Sequence, residues 1–415
     1  MKILAISNGH GEDIIAISII KKLMTYSEVS QIVALPLVGE GHAFKQNQIP
    51  IIGKVSVMPS GGFNQQTSEL LRDINKGLIN LTYQQYQVIH QWGKKDGVIL
   101  AVGDILPLFF AWLSNTNFVF IGVAKSEYYV RDDKGWLSST SKVNRCFKSI
   151  YYPWERWLMK SAKCKGVFVR DTLTAVNLNK LKISAYFLGN PMMDDFSDAK
   201  QTYRNIHLDK IKILLLPGSR NPETLRNWTL ILQSVQTILE SFPKKSFLFL
   251  SAIAPSLNCI PFRQELIKHN WKSQILNRSY INFKDSQALQ FQKENATLIL
   301  TQFAYNECLQ LSNLGIAMAG TATEQFVGLG KPVISFPGEG PQFTRQFAEK
   351  QTCLLGPSVI LTEKPKDISE ALRKLLSDKE LINNLDKNGK KRMGKPGASR
   401  KIAECLVNQC FNSLD

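Results

Sequence analysis

The stretch IKILLLPGSRNPE, residues 211–223, sets a serine and an arginine directly behind a Pro-Gly turn. A phosphate at such a turn meets backbone N–H groups, the positive end of the following helix and two side-chain donors, Ser219 and Arg220. Gly218 lets the chain turn tightly beside the anion. The apolar run from Ile211 to Leu216 predicts a buried parallel strand leading in. Asn221-Pro222-Glu223 predicts an N-cap, a first-turn proline and a first-turn acid leading out. A second turn of the same kind follows in MAGTATEQFVGLGKP, Met318 to Pro332. There Thr321 or Thr323 can cap a helix while neighbouring N–H groups face a phosphate, and Glu324, a turn in, can accept two ribose hydroxyls. Gly320, Thr321, Ala322, Thr323, Glu324 and Gln325 are the candidate donor-binding residues of this turn. Two phosphate-type turns point to a nucleotide-diphosphate ligand; the plainer alternative for the second is a capping box with no ligand.

The N-terminal half holds groups of another kind. Ser7-Asn8-Gly9-His10-Gly11-Glu12-Asp13 closes the first strand and opens the first helix. It is not GxGxxG, so a dinucleotide fingerprint is unsupported. Asn8, Gly9, Gly11 and Asp13 are read as an acceptor-side loop at an interdomain cleft, against the alternative of a helix start capped by acids. His10 is a candidate base, although a loop histidine is more often a hydrogen-bonding partner. Gly103-Asp104 follows the strand GVILAV, and open α/β sheets bind ligands at the carboxyl ends of their strands. A partly desolvated Asp104 would titrate high and act as a general base; otherwise it is an ordinary N-cap for Leu106 onward. Glu12 is the next candidate after Asp104 and His10. No D-x-D pair exists to hold a divalent ion, so no metal site is expected. Asp132-Asp133 and Asp194-Asp195 read as solvated loop acids.

The elements that must position these residues alternate β and α along all 415 residues, which predicts α/β domains with parallel sheets. Strands are expected at Lys2–Ser7, Gln31–Leu37, Gly97–Val102, Phe118–Gly122, Gly166–Val169 and Ala185–Leu188, with a clear helix at Asp13–Met24. A second set follows at Lys212–Leu216, Ser246–Ser251, Ala296–Thr301, Leu314–Ala319 and Pro332–Phe336. The chain divides into an acceptor and membrane-facing domain over 1–195, a donor domain over 196–395 that begins with a polar linker to residue 210, and a closing helix in 396–415 that packs back on the first domain. The longest apolar stretch, Val98 to Trp112, is interrupted by Asp104 and Pro107 and is too short to span a membrane. Seven cysteines lack any CxxC or Cys/His cluster, arguing against zinc and a disulfide framework. No signal peptide is visible, which suggests a cytoplasmic protein.

A formal net charge of +17 favours an anionic partner. Between 142 and 165, Lys142, Arg145, Lys148, Arg156, Lys160, Lys163 and Lys165 face a single acid, Glu155, and Phe147, Tyr151, Tyr152, Trp154 and Trp157 are interleaved. That composition suits a membrane interface, with Trp154 and Trp157 membrane-facing. A single-strand nucleic-acid groove has the same composition, and so does a core helix with a solvated basic face. No nucleic-acid motif accompanies the charge, so no nucleic-acid partner is expected.

With those residues in place, the chain resembles the lipid-A-disaccharide synthase family of GT-B glycosyltransferases over most of its length. Leu216–Arg220 with Glu223 resembles that family's phosphate loop, and Gly320–Gln325 with Gly328–Pro332 its donor-binding helix. Leu188-Gly189-Asn190-Pro191 with Met193 and Asp194 resembles its hinge, where the family usually has a histidine in place of Asn190. Glu12-Asp13 falls where the family has Gly-Asp, and Asp104 where it has a proposed catalytic aspartate. The loops NGHGED and GEGPQF depart from it, so fold and donor carry over more directly than the acceptor. The resemblance implies two Rossmann-like domains facing a cleft, a UDP-sugar donor with no further cofactor, a lipid acceptor, and peripheral attachment to an anionic membrane surface. Uracil is placed at the backbone of Gln302-Phe303. The same fold also suits a UDP-sugar 2-epimerase or a non-catalytic nucleotide-sugar or lipid-binding protein. Without a D-x-D pair, turnover should survive EDTA; activity lost in chelator and restored by Mg²⁺ or Mn²⁺ would refute the metal-free reading.

Overall fold

The computed structural model describes residues 1–9, 11–55, 78–94, 97–196, 210–276 and 285–411. His10 and residues 197–209 of the expected linker lie outside the described residues. Contacts divide the chain into two units, Met1–Asp194 with Lys395–Asp415, and Asp195–Gly394. Each is a Rossmann-like α/β layer.

The first unit is built on a parallel sheet of β1 (Lys2–Ser7), β2 (Gln31–Pro36), β3 (Gly97–Gly103), β4 (Phe118–Gly122), β7 (Cys164–Val169) and β8 (Ala185–Tyr186). Their order is β2-β1-β3-β4-β7-β8. The short hairpin β5 (Arg131–Asp132) and β6 (Gly135–Trp136) stands apart. Asp132 is more than a solvated acid here, because its Oδ1 accepts the N–H groups of Lys134 and Gly135 and forms the hairpin turn. Both faces of the sheet are covered, so the strands read as continuous apolar runs. Ile3 and Ala5 face one core, with Ile15, Ile19 and Leu23 of the Gly11–Leu23 helix. Leu4 and Ile6 face the other, with Leu108, Phe110 and Ala111 of the Ile105–Leu113 helix.

The Ala398–Cys405 helix belongs to this first unit, where Ile402, Ala403, Leu406 and Val407 join the core of Ile3 and Ala5. Its start is held by an unanticipated device. Asp194, expected as a solvated loop acid, has a carboxylate that accepts the N–H groups of Gly397 at 2.7 Å, Ala398 at 2.9 Å and Ser399 at 2.7 Å. Three donors of a helix start have no intrahelical carbonyl, and one carboxylate satisfies them all.

The second unit has an eight-stranded sheet in the order β11-β12-β13-β10-β9-β14-β15-β16. Its strands are β9 (Ile211–Leu216), β10 (Phe247–Ala252), β11 (Lys272–Gln274), β12 (Leu289–Lys293), β13 (Ala296–Thr301), β14 (Leu314–Ala317), β15 (Val333–Ser335) and β16 (Val359–Leu361). The run from β13 to β16 is parallel, whereas β11 and β12 pair antiparallel. The β12–β13 hairpin was not anticipated. Its turn is Glu294-Asn295, with Glu294 at φ 51°, and no glycine marks it. The long Glu223–Ser241 helix buries Trp228, Ile231, Leu232, Val235 and Ile238 against Ile213 and Leu215. Among the described residues no helix is long and apolar enough to cross a membrane.

Replacing Asp194 with Ala should destabilise the first unit by about 2 kcal/mol, the upper range for a lost cap, and Asp194→Asn by less. Urea denaturation of the full chain reads this, and an unchanged midpoint for Asp194→Ala would show the helix start needs no carboxylate.

Candidate functional site

In each sheet the strand order reverses beside the first strand, and there two loops leave adjacent carboxyl ends. In the second unit these are the loops after β9 and β14. The two strands pair in register, Leu216 opposite Ala317, and Met318 N–H continues the ladder to Leu216 O at 2.8 Å. Both phosphate-type turns therefore stand side by side. Gly218 has φ +100°, and a Cβ there would lie 3.2 Å from the Met318 carbonyl oxygen, so only glycine suits the position. Ser219 and Arg220 are exposed.

The helix after the first turn starts at Glu223, with Pro222 as N-cap. Asn221 is therefore not the cap, because the chain makes one more turn, closed by Thr224 N–H to Arg220 O at 2.9 Å. Glu223 is the first-turn acid expected, and it has a further role. It is buried, and its carboxylate accepts the N–H groups of Gln342 at 3.1 Å and Phe343 at 2.5 Å. Arg220 donates to Gln342 Oε1 at 2.5 Å. The divergent loop GEGPQF is thus fastened onto the first phosphate turn from both ends of RNPE.

At the second turn Gly320, not a threonine, is the N-cap of the Thr321–Gly328 helix. Thr321 is exposed, while Thr323 is buried and donates its hydroxyl to Ala319 O at 2.6 Å. Thr323 and Glu324 N–H groups turn back on Gly320 O at 3.1 and 3.2 Å. Those of Thr321 and Ala322 are the first-turn donors with no helical carbonyl behind them. Glu324 is half-buried, and Gln325 Oε1 accepts the Tyr305 hydroxyl at 2.6 Å.

Gln302 and Phe303 follow β13, but their N–H groups are committed, bonding Asp285 Oδ2 at 3.1 and 3.3 Å. Gln302 Nε2 is committed as well, to the carbonyls of Ala254 and Leu257. What remains for a base is carbonyl oxygen and the exposed Phe303 ring. Burial opposes ionisation of Asp285, but hydrogen bonds from Thr301, Gln287, Gln302 and Phe303 outweigh it and hold the carboxyl below the ordinary range. Asp285, Asn227 and Gln351 were missed in the sequence. Only Asp285 carried a signal, the Asp-Ser-Gln turn that its Oδ1 closes on Gln287 N–H.

In the first unit the loops after β1 and β3 are likewise neighbours, Ser7 opposite Val102. Gly9 has φ +97°, and a Cβ there would sit 2.5 Å from the Val38 carbonyl oxygen. Asn8 lies against Gly103, whose Cβ would fall 3.2 Å from the Asn8 amide. Gly11 is exposed. Asp13 is buried and accepts the Ser7 hydroxyl at 2.5 Å. Asp104 is half-buried and its Oδ1 accepts Leu106 N–H at 2.8 Å, so it is the N-cap of the Ile105–Leu113 helix. Burial pushes the Glu12 carboxyl above its ordinary range; its own backbone N–H opposes this, and the charges of Asp104 and Asp13 add to it.

The basic-aromatic segment divides by depth. Tyr151, Leu158 and Met159 are buried, whereas Trp154 is 52% and Trp157 60% exposed. Trp157 packs on Trp112 at 5.0 Å between ring centroids, and Trp112 stacks on the exposed Phe109 at 6.1 Å. Lys142, Arg145, Lys148, Lys160 and Lys163 are exposed nearby in the chain.

No protein-family model matches the chain, and no curated protein does. Solved structures do. A provisional UDP-N-acetylglucosamine 2-epimerase of Listeria monocytogenes is similar at TM-score 0.57 and 16% identity, over 100% of this chain and 97% of that one. UDP-GlcNAc 2-epimerase of Neisseria meningitidis, bound to UDP-GlcNAc, is similar at 0.53 and 16%, over 98% and 100%. MurG of Acinetobacter baumannii is similar at 0.55 and 10%, over 98% and 99%. At these identities the likeness establishes the fold, which is that of GT-B enzymes.

Glu12 gives the first-unit site a pH signature. Its folded value is raised, so between the unfolded and folded values the unfolded chain ionises first and stability falls as pH rises. Glu12→Gln should flatten that decline and leave the protein more stable at neutral pH, read by urea titration across the acid range. A variant with the parent's pH dependence would place the strained carboxyl elsewhere.

Proposed function

We propose that this protein moves a hexose or acyl-hexosamine from a UDP-sugar to a lipid-type acceptor, with inversion and without a metal ion. The observation that carries the reading is the β9–β14 junction, where two phosphate turns stand together at one switch point. Gly218, Ser219, Arg220 and the N–H groups of Gly320, Thr321 and Ala322 receive the diphosphate, where charge develops as UDP departs. Arg220 exchanges Gln342 for a phosphate oxygen. Glu324 takes the ribose hydroxyls, and the uracil lies by the Gln302-Phe303 carbonyls and the Phe303 ring. In the first unit, the Asp104 oxygen not used in capping removes the acceptor hydroxyl's proton, with Glu12 sharing the negative field. The acceptor oxygen attacks the anomeric carbon on the face opposite UDP. Trp154, Trp157 and the surrounding lysines and arginines rest on an anionic membrane surface that presents the lipid.

A second reading, a UDP-sugar 2-epimerase, is favoured by the names of two of the similar structures, one of them bound to UDP-GlcNAc. The transfer reading is preferred because exposed tryptophans among cationic groups serve a lipid acceptor and do nothing for a water-soluble substrate. A purely binding role shares the same turns.

Incubation with labelled UDP-sugar separates the three. Transfer gives UDP release and labelled lipid only when total lipid extract is added. Epimerisation gives a C2-inverted UDP-sugar without lipid, and a binding protein gives neither. Replacing both Trp154 and Trp157 with serine should lower sedimentation with anionic vesicles and slow lipid labelling, while UDP affinity stays within about twofold, well under the tenfold that 1.4 kcal/mol represents. Unchanged sedimentation of the double variant would remove the membrane from the proposal.

A further inference from the structure

Two buried amides stand behind the two phosphate turns in the same way. The carbonyl just before Gly218, that of Pro217, accepts Asn227 Nδ2 at 3.1 Å, and the Thr224 hydroxyl is shared between it, at 3.4 Å, and the Gly218 carbonyl, at 3.2 Å. The carbonyl just before Gly320, that of Ala319, accepts Gln351 Nε2 at 3.0 Å and the Thr323 hydroxyl at 2.6 Å. A carbonyl oxygen has two lone pairs; both are taken at Ala319, and at Pro217 the amide makes the shorter contact while the hydroxyl is shared. One donor is a hydroxyl from the helix that follows the turn. The other is an amide, Asn227 on the Glu223–Ser241 helix or Gln351 on the Arg345–Leu355 helix.

Neither amide serves its own needs. Asn227 is 2% exposed and Gln351 4%, and the oxygen of each is buried with no hydrogen-bond partner among the described residues. An unpaired buried acceptor is destabilising. Flipping either amide would aim oxygen at a carbonyl oxygen, so the position demands the N–H. The two side chains carry this cost in matching places.

The peptide unit is planar and trans, so its N–H points opposite its C=O. Holding the Pro217 and Ala319 carbonyls inward turns the N–H groups of Gly218 and Gly320 outward, to the mouths of adjacent turns. We propose that Asn227 and Gln351 are positioning residues that aim the Gly218 and Gly320 N–H groups at the two phosphates of a nucleoside diphosphate. This rests on the donor reading above and adds its preorganisation, since a donor fixed before binding needs no ordering when the anion arrives.

Asn227→Leu and Gln351→Met test it. Each keeps the side-chain volume, removes the N–H together with the unpaired oxygen, and leaves a threonine hydroxyl on the carbonyl. Calorimetry of the full chain with UDP and with uridine, beside a melting curve, gives the readouts. Expected are a melting temperature unchanged or raised, UDP affinity lowered about tenfold, as for a charge-assisted contact put out of line, and uridine affinity unchanged. If either apolar variant melts early, Asn227→Ala and Gln351→Ala are read in the same way. UDP binding as tight as the parent's, or UDP and uridine weakened alike, overturns the positioning role. Failure of the unaltered protein to bind UDP overturns the donor reading itself, and this proposal with it.

Discussion

The two glycine turns of the second unit depend on the pairing of β14 with β9. These strands are far apart in the chain and adjacent in the sheet. Their shared register brings Gly218 against the Met318 carbonyl. Glu223 and Arg220 fasten one loop across it. Slipping the pairing by one residue would reverse which side chains face the core and would carry the second turn away from the first. The sheet thus sets the spacing of the two turns, and the side chains only trim it.

The α/β alternation was legible because both sheets are covered on both faces, so central strands appear as unbroken apolar runs bounded by turns. Ile211–Leu216 and Phe118–Gly122 are read directly in this way. The β12–β13 hairpin escaped because Glu294-Asn295 reverses the chain without glycine, and β16 is too short to show a period. The phosphate turns were visible as glycine, hydroxyl and arginine in sequence. Their support was not, since Asn227 and Gln351 are polar residues on helices whose partners lie elsewhere in the chain. Glu223 and Asp194 were visible as acids but not as anchors, because the N–H groups they serve belong to residues 342–343 and 397–399.

Acids near the strand ends of the two units are treated differently. Asp285 is held ionised by the hydrogen bonds it accepts and ties strand end to loop. Glu12 is held in the opposite direction, by burial and by neighbours of its own sign. The first arrangement stabilises a scaffold. The second stores unfavourable charge beside Asp104, a common property of sites whose carboxylates exchange protons. GT-B enzymes share the scaffold with several chemistries, so such local asymmetries carry more about the reaction than the fold does.

The return of the Ala398–Cys405 helix to the first unit makes the second unit an insertion within it. During synthesis Asp195–Gly394 leaves the ribosome as one uninterrupted stretch and can close its core at once. The first unit begins earlier but waits, with the face of Ile15 and Ile19 uncovered, until the last helix emerges to cover it. Birth order and completion order are therefore reversed, and a chain stopped short of residue 398 keeps the glycine turns of the second unit while exposing the core beside the loop after β1. Cellular quality control would meet that exposed face first.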